Sequence, residues 1–386
     1  MDVAYLDNNA TTPLAPEALE AMLPYLGDQF GNAGSAHFLG KLSEGAVVVG
    51  RERTAALLGC APAELVFNSG GTEGINHAFR GVFEAFPGKR HFVTTAVEHS
   101  AVLAVAAWLK GQGAEVTLLG VDGEGRLDLA ELEAALRPDT ALVSVMAANN
   151  ETGVLFPLDE VARVVKARGI LLHVDGTQAL GKVPVDLARL PADLFSFSAH
   201  KFHGPKGMGG MAVRRGLRLK PFMIGGGQER GRRGGTENVP GIVALGVAAE
   251  QAAAHLPGMA RVEALRDRLE RFILETIPGA FANGAGAPRV PNTAMMSFEG
   301  VEGEALLLRL NEAGVCVSTG SACTTGQKEP SHVLRAMAVP AARVMGSVRF
   351  SLSRYTTEDE IGKVLGLLPG IVAELRAQGE RPMGRR

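Results

Sequence analysis

The sequence predicts an α/β protein with a large domain, built on a mainly parallel seven-stranded sheet, and a smaller α+β domain. From about residue 60 to residue 215, short apolar runs rich in β-branched residues alternate with longer amphipathic stretches. This alternation is typical of a parallel sheet covered by helices. After about residue 257 the alternation ends, and a long charged helix precedes shorter strands. The chain has 386 residues, which is enough for one large and one small domain.

The large domain takes its strands from seven short apolar runs. They are residues 65–68, 91–95, 115–119, 141–146, 170–175, 194–198 and 210–214. Between them lie amphipathic stretches such as 129–137 and 158–168, which predict the covering helices. We assign residues 15–256 to this domain.

The small domain is assigned residues 1–14 and 257–386. It is predicted to contain a long helix at 260–276, strands at 293–298, 315–318 and 348–353, and a final helix at 357–376. A basic glycine-rich segment, 225–235, lies between the two regions. This segment is either a solvated linker or, through its three arginines, an anion contact.

Composition excludes several classes of protein. Hydrophobic residues make up 46% of the chain and charged residues 21%, which excludes disorder as the main state. The net charge of -2 gives no overall field toward nucleic acid or anionic lipid, and no run is expected to be apolar for long enough to span a membrane. We therefore predict neither a nucleic-acid partner nor a membrane partner.

The three cysteines, Cys60, Cys316 and Cys323, are too few for a disulfide framework. None forms a CxxC pair of the kind that binds zinc, so no metal site and a reducing cytoplasmic location are expected. Cys323 lies among small residues bounded by glycines, which predicts an accessible and reactive loop position. Cys60 and Cys316 are interpreted as structural.

The segment 65–73 runs from a strand through a glycine turn into a helix that has Thr72 in its first turn. Unbonded N–H groups and the helix dipole at such a turn can hold a phosphate. The segment has neither the Walker lysine nor GxGxxG spacing, so an ordinary capped helix remains the alternative.

Two further strand ends carry charged side chains. Asp175 ends an apolar strand, where its carboxylate needs a positive partner: a protonated pyridine nitrogen, a salt bridge or a metal. Lys201 follows the strand 194–198, and a desolvated lysine there can form a Schiff base with pyridoxal phosphate. Lys206 is the competing candidate, and either lysine alone can equally be a surface residue.

Nine segments of the chain match a known family in order, nearly end to end. They are residues 5–13, 97–99, 149–153, 173–175, 198–201, 232–238, 321–324, 329–335 and 348–354. Together they resemble the pyridoxal-phosphate-dependent cysteine desulfurases of the NifS/IscS type, in the class V branch of the aspartate-aminotransferase-like fold (fold type I). The resemblance departs at Gly74, Ile75 and Ala33.

This resemblance implies a role for each matched residue. Lys201 would bond the cofactor, Asp175 would pair with its ring nitrogen, and Gln178 would bond its phenolic oxygen. His99 would stack on the ring and transfer protons. The residues implied to hold the phosphate are Gly71, Thr72, Ser198, His200 and, from the other subunit of a homodimer, Thr236. Asn150, also expected at the cofactor, and Arg349 would bind the substrate carboxylate.

The implied reaction converts L-cysteine to L-alanine, with the sulfur captured as a persulfide on Cys323. The sulfur would pass to an iron–sulfur scaffold or another sulfur-acceptor protein. The form of segment 321–324 resembles the long-loop desulfurases, and segments 232–238 and 351–357 look closer to the NifS than to the IscS subgroup. The alternatives are a class V aminotransferase, a selenocysteine lyase and an inactive docking scaffold.

Overall fold

A computed structural model describes residues 3–319 and 330–379. Its main sheet consists of β2 (Leu65–Asn68), β3 (His91–Thr95), β4 (Glu115–Leu119), β5 (Thr140–Met146), β6 (Leu171–Asp175), β7 (Leu194–Ser198) and β8 (Gly209–Val213). Their order in the sheet is β2-β8-β7-β6-β5-β3-β4. Only β8 runs antiparallel to its neighbours. The predicted fold class, with a mainly parallel seven-stranded sheet, is confirmed.

The position of the candidate site follows from this topology. Because parallel strands point the same way, their carboxyl ends meet at one edge of the sheet. Strands β6 and β7 are neighbours, with Asp175 paired in register with Ser196, so Asp175 and Ser198 end at the same edge. The glycine turn after β2 reaches this edge as well, where Gly71 contacts Ser198.

Helices cover the main sheet. They are α1 (Pro16–Leu26), α2 (Phe38–Leu58), α3 (Gly71–Ala85), α4 (Ser100–Gly111), α5 (Leu129–Ala135), α6 (Leu158–Ala167) and α7 (Val239–His255). Polar side chains cap four of these helices, among them α4, where His99 Nδ1 accepts from Ala101 N, and α5, where Asp128 Oδ1 accepts from Ala130 N. The α4 cap thus fixes a side chain that the sequence predicts to be catalytic.

The remaining elements form two smaller sheets and their helices. The strands are β1 (Ala4–Tyr5), β9 (Ala280–Ala282), β10 (Thr293–Phe298), β11 (Val315–Cys316), β12 (Ser318–Thr319) and β13 (Ser347–Ser351). The helices are α8 (Met259–Thr276), α9 (Gly303–Glu312), α10 (His332–Ala336), α11 (Ala341–Met345) and α12 (Glu358–Gly379). Strands β12-β13-β10-β9 make an antiparallel sheet, and β1 pairs with β11 in parallel.

The prediction of one strand at 315–318 is wrong. The chain changes partner after Cys316: Val315 and Cys316 pair with β1, whereas Ser318 and Thr319 pair with β13. An apolar run shows that a strand is buried but does not show which neighbour it pairs with.

Buried apolar side chains near the two ends of the chain share one cluster. Ala4 and Leu6 pack with side chains of α8, β10, α9, β13 and α12. The core beneath the main sheet forms other clusters, to which α2, β5 and α7 contribute. The assignment of 1–14 and 257–386 to the small domain rests on sequence and stays a prediction.

The stretch Val239–Thr276, which contains α7 and α8, corrects another expectation. By length and composition it is apolar enough to cross a membrane, whereas no such run was expected from the sequence. Half of its most apolar window is buried, including Ile242, Leu245 and Ala248, and α7 packs on α1 and α2. The apolar composition is therefore that of a helix packed in the protein core.

Part of the glycine-rich segment 225–235 packs against β2, α2 and α3, so the segment is not a fully solvated linker. Glu229 is buried, pairs with Arg51 at 2.6 Å and accepts from Phe67 N. Arg230 donates to Leu65 O and Arg233 pairs with Glu73. These arginines already have partners in their own chain, so the contacts give the anion interpretation no support.

Candidate active site

The predicted site residues meet at a cavity of about 360 Å³ at the carboxyl edge of the main sheet. Its lining consists of Asn9, Ala10, Gly71, Thr72, Ile75, His99, Met146, Ala148, Asn150, Asp175, Thr177, Gln178, Ser198, His200, Lys201 and Arg349. The volume lies within the range of roughly 300–1,000 Å³ that is usual for small-molecule sites.

Asp175 places a carboxylate on this cavity from the last position of β6. It is buried, and its Oδ1 accepts from Thr177 N at 3.0 Å. The backbone bond fixes the orientation of the carboxylate. A buried carboxylate that faces a cavity is suited to a cationic ligand atom.

The amino end of α3 lies on another wall. Gly70 has a φ of 139°, which favours glycine, and Gly71 N donates to Ser198 Oγ at 2.7 Å. At the start of a helix the next N–H groups have no carbonyl within the helix to bond, so the turn is suited to an anion. Thr177 Oγ1 is buried there without a partner in the part of the chain that the structure describes.

Lys201 follows β7 in a single 3₁₀ turn, Ala199–Lys201. Its Nζ donates to Asn9 O at 2.5 Å and to Ala10 O at 2.8 Å. Burial, reinforced by the Arg349 charge, lowers the pKa of Lys201 to about 8. The amine thus loses its proton more readily than an exposed lysine, as a nucleophile or a general base requires.

Two histidines complete the polar lining. Burial lowers the pKa of His99, and the Asp175 carboxylate opposes that shift. His99 Nδ1 accepts from Ala101 N, so the neutral ring carries its proton on Nε2. Burial and the Lys201 charge lower the pKa of His200 to about 4, which keeps this ring neutral.

Arg349 extends from β13 into the cavity. Its two terminal nitrogens donate to Asn150 O and to Asp7 Oδ1, each at 2.8 Å. Its Nε and Asn150 Oδ1 are buried and have no partner among the described residues. Buried polar atoms normally have partners, so a ligand with both donor and acceptor groups fits here.

The structure brings nine of the ten predicted cofactor-binding residues to this cavity, and Arg349, predicted to bind the substrate, lines it as well. Thr236, the tenth, is exposed and does not line this cavity. Lys206 is also exposed outside it, so the geometry favours Lys201 over its competitor. Cys323 lies outside the described residues. The individual roles of these residues stay predictions.

The other two cysteines are half-buried. Burial raises the pKa of Cys60 to about 12, so at neutral pH it is a thiol rather than a nucleophilic thiolate. Cys316 lies in β11.

Asn9 and Lys182 are two further site residues that the sequence does not single out. Asn9 lies within the matched segment 5–13, yet no role was assigned to it. Its backbone oxygen accepts from both Lys201 and Gln178. Lys182 follows Gln178 by four residues, within a run of turns, and is buried behind it. No local pattern in the sequence distinguishes these two residues, because only their burial makes them informative.

The residues present fit pyridoxal phosphate. The Gly71 turn, Ser198 and the unpartnered Thr177 hydroxyl can hold a phosphate. The Asp175 carboxylate can face a protonated ring nitrogen, and Lys201 supplies the amine. All of these groups line the same cavity.

Glu98, next to His99, is a buried carboxyl group whose ionisation affects stability. Burial, with the Asp175 charge, raises the pKa of Glu98 from 4.5 to about 8. The folded protein therefore keeps a proton that the unfolded chain releases above about pH 4.5. Stability from this group is complete below that pH and is lost as the pH rises through about 8.

We expect Glu98→Gln to be more stable than the unsubstituted protein at pH 9, by about 1 kcal/mol or more, with the difference closing near pH 5. The glutamine stays neutral and can still accept from Thr95 Oγ1 and Met146 N. Urea unfolding at both pH values, with equal cofactor occupancy, measures the effect. An equal difference at pH 5 and pH 9 contradicts it.

Comparison with known proteins assigns nearly the whole chain to one family. The aminotransferase class-V family model matches residues 4–364. A cysteine desulfurase of Trichormus azollae is 53% identical over 378 residues, which cover 98% of this chain and 94% of that protein. A cysteine desulfurase of Klebsiella pneumoniae is 49% identical over 378 residues, which cover 98% and 94% of the two chains.

Solved structures agree with this placement. A NifS-like protein superposes with a TM-score of 0.91 at 40% identity and covers 97% of this chain and 100% of its own. The protein SspA, solved in complex with cysteine, superposes with a TM-score of 0.81 at 33% identity, covering 92% of this chain and all of its own.

Proposed function

Because the chain belongs to the class-V aminotransferase family, we propose that it is a pyridoxal-phosphate-dependent cysteine desulfurase that converts L-cysteine to L-alanine. The observation that carries the proposal is the convergence of Asp175, Lys201 and Arg349 on one cavity. These side chains supply a carboxylate for a ring nitrogen, an amine of lowered pKa and a cation for a substrate carboxylate. SspA, which was solved with cysteine, supports the choice of substrate.

When bound, the cofactor would supply an electron sink that stabilises negative charge at the substrate Cα. Lys201 Nζ would bind the cofactor and, once released by the substrate, take the Cα proton. Asp175 would keep the ring nitrogen protonated, and Gln178 would face the phenolic oxygen. Gly71, Thr72, Ser198 and His200 would hold the phosphate.

Arg349 and Asn150 would orient the substrate. The guanidinium is already fixed by Asp7 and by Asn150 O, so it can bind a carboxylate with little reorganisation. His99, neutral and protonated at Nε2, can donate a proton into the cavity. A ligand seated between these groups would exclude water from the reacting atoms.

Cys323 is the proposed sulfur acceptor. Its thiolate would attack the substrate sulfur, forming the S–S bond of a persulfide as the substrate Cβ–S bond breaks. The electron pair of that bond stays with Cβ, which a proton then converts to the methyl group of alanine. We propose that the persulfide sulfur passes to an iron–sulfur scaffold or to another acceptor protein.

A homodimer is part of the proposal. Large apolar side chains are exposed on α1 and α2, among them Leu23, Leu26, Phe38 and Leu42, at helical spacing along one face of each helix. A second copy would cover them and bring Thr236 to its partner's phosphate. The solution mass tests this: twice the 40.4 kDa of one chain supports the dimer, and the mass of one chain contradicts it.

The location is proposed to be the reducing cytoplasm, because a persulfide-forming cysteine needs reducing conditions.

The function is tested by supplying L-cysteine to the cofactor-loaded protein with a reductant. Equal molar yields of alanine and sulfide are expected. Amino-group transfer to a 2-oxo acid without sulfide would instead indicate an aminotransferase. A large preference for L-selenocysteine would indicate a selenocysteine lyase, and absence of visible absorbance from bound cofactor would indicate a docking scaffold.

Gly71→Ala tests the phosphate site. A Cβ at position 71 would lie 2.7 Å from Thr177 Oγ1 and 3.1 Å from Ser198 Oγ, both within the proposed cradle. We expect the dissociation constant of pyridoxal phosphate to rise roughly tenfold, or about 1.4 kcal/mol. Gly45→Ala on α2, where a Cβ meets nothing within 4 Å, is the control. Equal dissociation constants for the two variants would contradict the assignment.

A further inference from the structure

Lys182 is a buried lysine whose hydrogen bonds run to neutral amides. Its Nζ donates to Asn9 Oδ1 at 2.9 Å and to Gln178 Oε1 at 2.5 Å. Burying an amine is costly even when it is hydrogen-bonded, and an apolar side chain would avoid that cost. Packing alone therefore does not explain why a lysine lies at this position.

These bonds determine which way the Gln178 amide faces. Since Oε1 accepts from Lys182, Nε2 must lie on the opposite side, where it donates to Asn9 O at 2.9 Å. Gln178 lines the cavity with Asp175 and Lys201, so its second Nε2 hydrogen is available to a ligand there.

The same lysine orients Asn9. Asn9 Oδ1 accepts from Lys182 and from Asn292 Nδ2, while Asn9 Nδ2 donates to Thr293 Oγ1 at 2.9 Å. The Asn9 side chain is thus held on one side by Lys182 and on the other by Asn292 and Thr293, at the start of β10. Its backbone oxygen lies 2.5 Å from Lys201 Nζ.

We propose that Lys182 is a positioning residue of the active site, which holds the Gln178 amide with Nε2 toward the cofactor's phenolic oxygen and holds Asn9 against Lys201. This inference rests on the proposed function, which places the phenolic oxygen opposite Gln178. Lys182 acts through its neighbours and itself need not touch the substrate.

The electrostatic surroundings suit this role. Burial, with the charges of Lys201 and Arg349, lowers the pKa of Lys182 well below its ordinary value. A lysine Nζ can donate to both amide oxygens whether charged or neutral. Methionine has a similar shape but no donor, so it would leave Gln178 Oε1 without this partner. The amide could then rotate and present its oxygen to the phenolic oxygen of the cofactor.

The test follows the pH at which the visible absorbance of the lysine-bound cofactor changes. A donor to the phenolic oxygen stabilises its anionic form, so losing the donor should move the midpoint upward. For Lys182→Met we expect a rise of roughly 0.5–1 pH unit, the shift that one net hydrogen bond supplies. Lys166→Met, which removes the half-buried partner of Asp193, is the control and should leave the midpoint unchanged.

A double-mutant cycle separates positioning from a general structural effect. If Lys182 acts through Gln178, Lys182→Met should not shift the midpoint further when Gln178→Ala is already present. Lys182→Gln, whose amide can still donate, is the second variant should Lys182→Met fail to fold, and its midpoint should lie between wild type and Gln178→Ala.

Different results would overturn the positioning role of Lys182 and the proposed function. An unchanged midpoint in folded Lys182→Met, a full additional shift in the double variant, or a Lys182→Gln midpoint outside the stated interval overturns the positioning role alone. A wild-type protein that binds no pyridoxal phosphate in a direct titration overturns the proposed function and this inference with it.

Discussion

Lys201→Ala is expected to lose the visible absorbance of the bound cofactor and to reduce alanine formation by roughly 10³-fold or more, since it removes both the bonding amine and the base. The substitution removes the two hydrogen bonds from Lys201 Nζ to Asn9 O and Ala10 O and leaves the packing around them in place, so the fold should persist. Absorbance spectra and alanine yield from L-cysteine measure the two effects.

Lys206→Ala is the matched control, because Lys206 is an exposed lysine five positions along the same segment. It should retain both absorbance and activity. If Lys206→Ala loses the absorbance while Lys201→Ala keeps it, the choice between the two lysines is wrong.

Arg349→Met is expected to raise the KM for L-cysteine roughly 100-fold, with a smaller change in kcat. Truncating one partner of a desolvated ion pair costs about 3 kcal/mol, and the proposed partner is the substrate carboxylate. Steady-state kinetics with varied L-cysteine measure both constants.

Arg289→Met serves as its control. Arg349 and Arg289 each have a side chain that is 7% exposed, and Arg289 is paired with Glu270 rather than lining the cavity. This variant should lose stability without a comparable rise in KM. A KM for Arg349→Met no higher than that for Arg289→Met would remove Arg349 from the substrate site.

The fold was predictable from the sequence because burial leaves a local pattern. The apolar runs that end at Asn68, Asp175 and Ser198 became strands ending at the predicted residues. The change of partner after Cys316 was not predictable, because pairing depends on which strands lie nearby in space. The burial of Val239–Thr276 likewise depends on α1 and α2.

The site was predictable where chemistry needs an unusual residue at a strand end, as at Asp175 and Lys201. Asn9 and Lys182 escaped notice because their role arises from contacts across more than 160 residues of sequence. An asparagine or a lysine is ordinary on a surface, and only burial makes these two informative. Glu98 is similar: its raised pKa comes from complete burial, which no local motif specifies.

Sulfur capture on Cys323 is tested most simply by comparing the protein with Cys323→Ala, each loaded with pyridoxal phosphate and supplied with L-cysteine and a reductant. The variant should keep the visible absorbance of the lysine-bound cofactor and lose alanine and sulfide production together. A variant as active as the unsubstituted protein would contradict sulfur capture on Cys323.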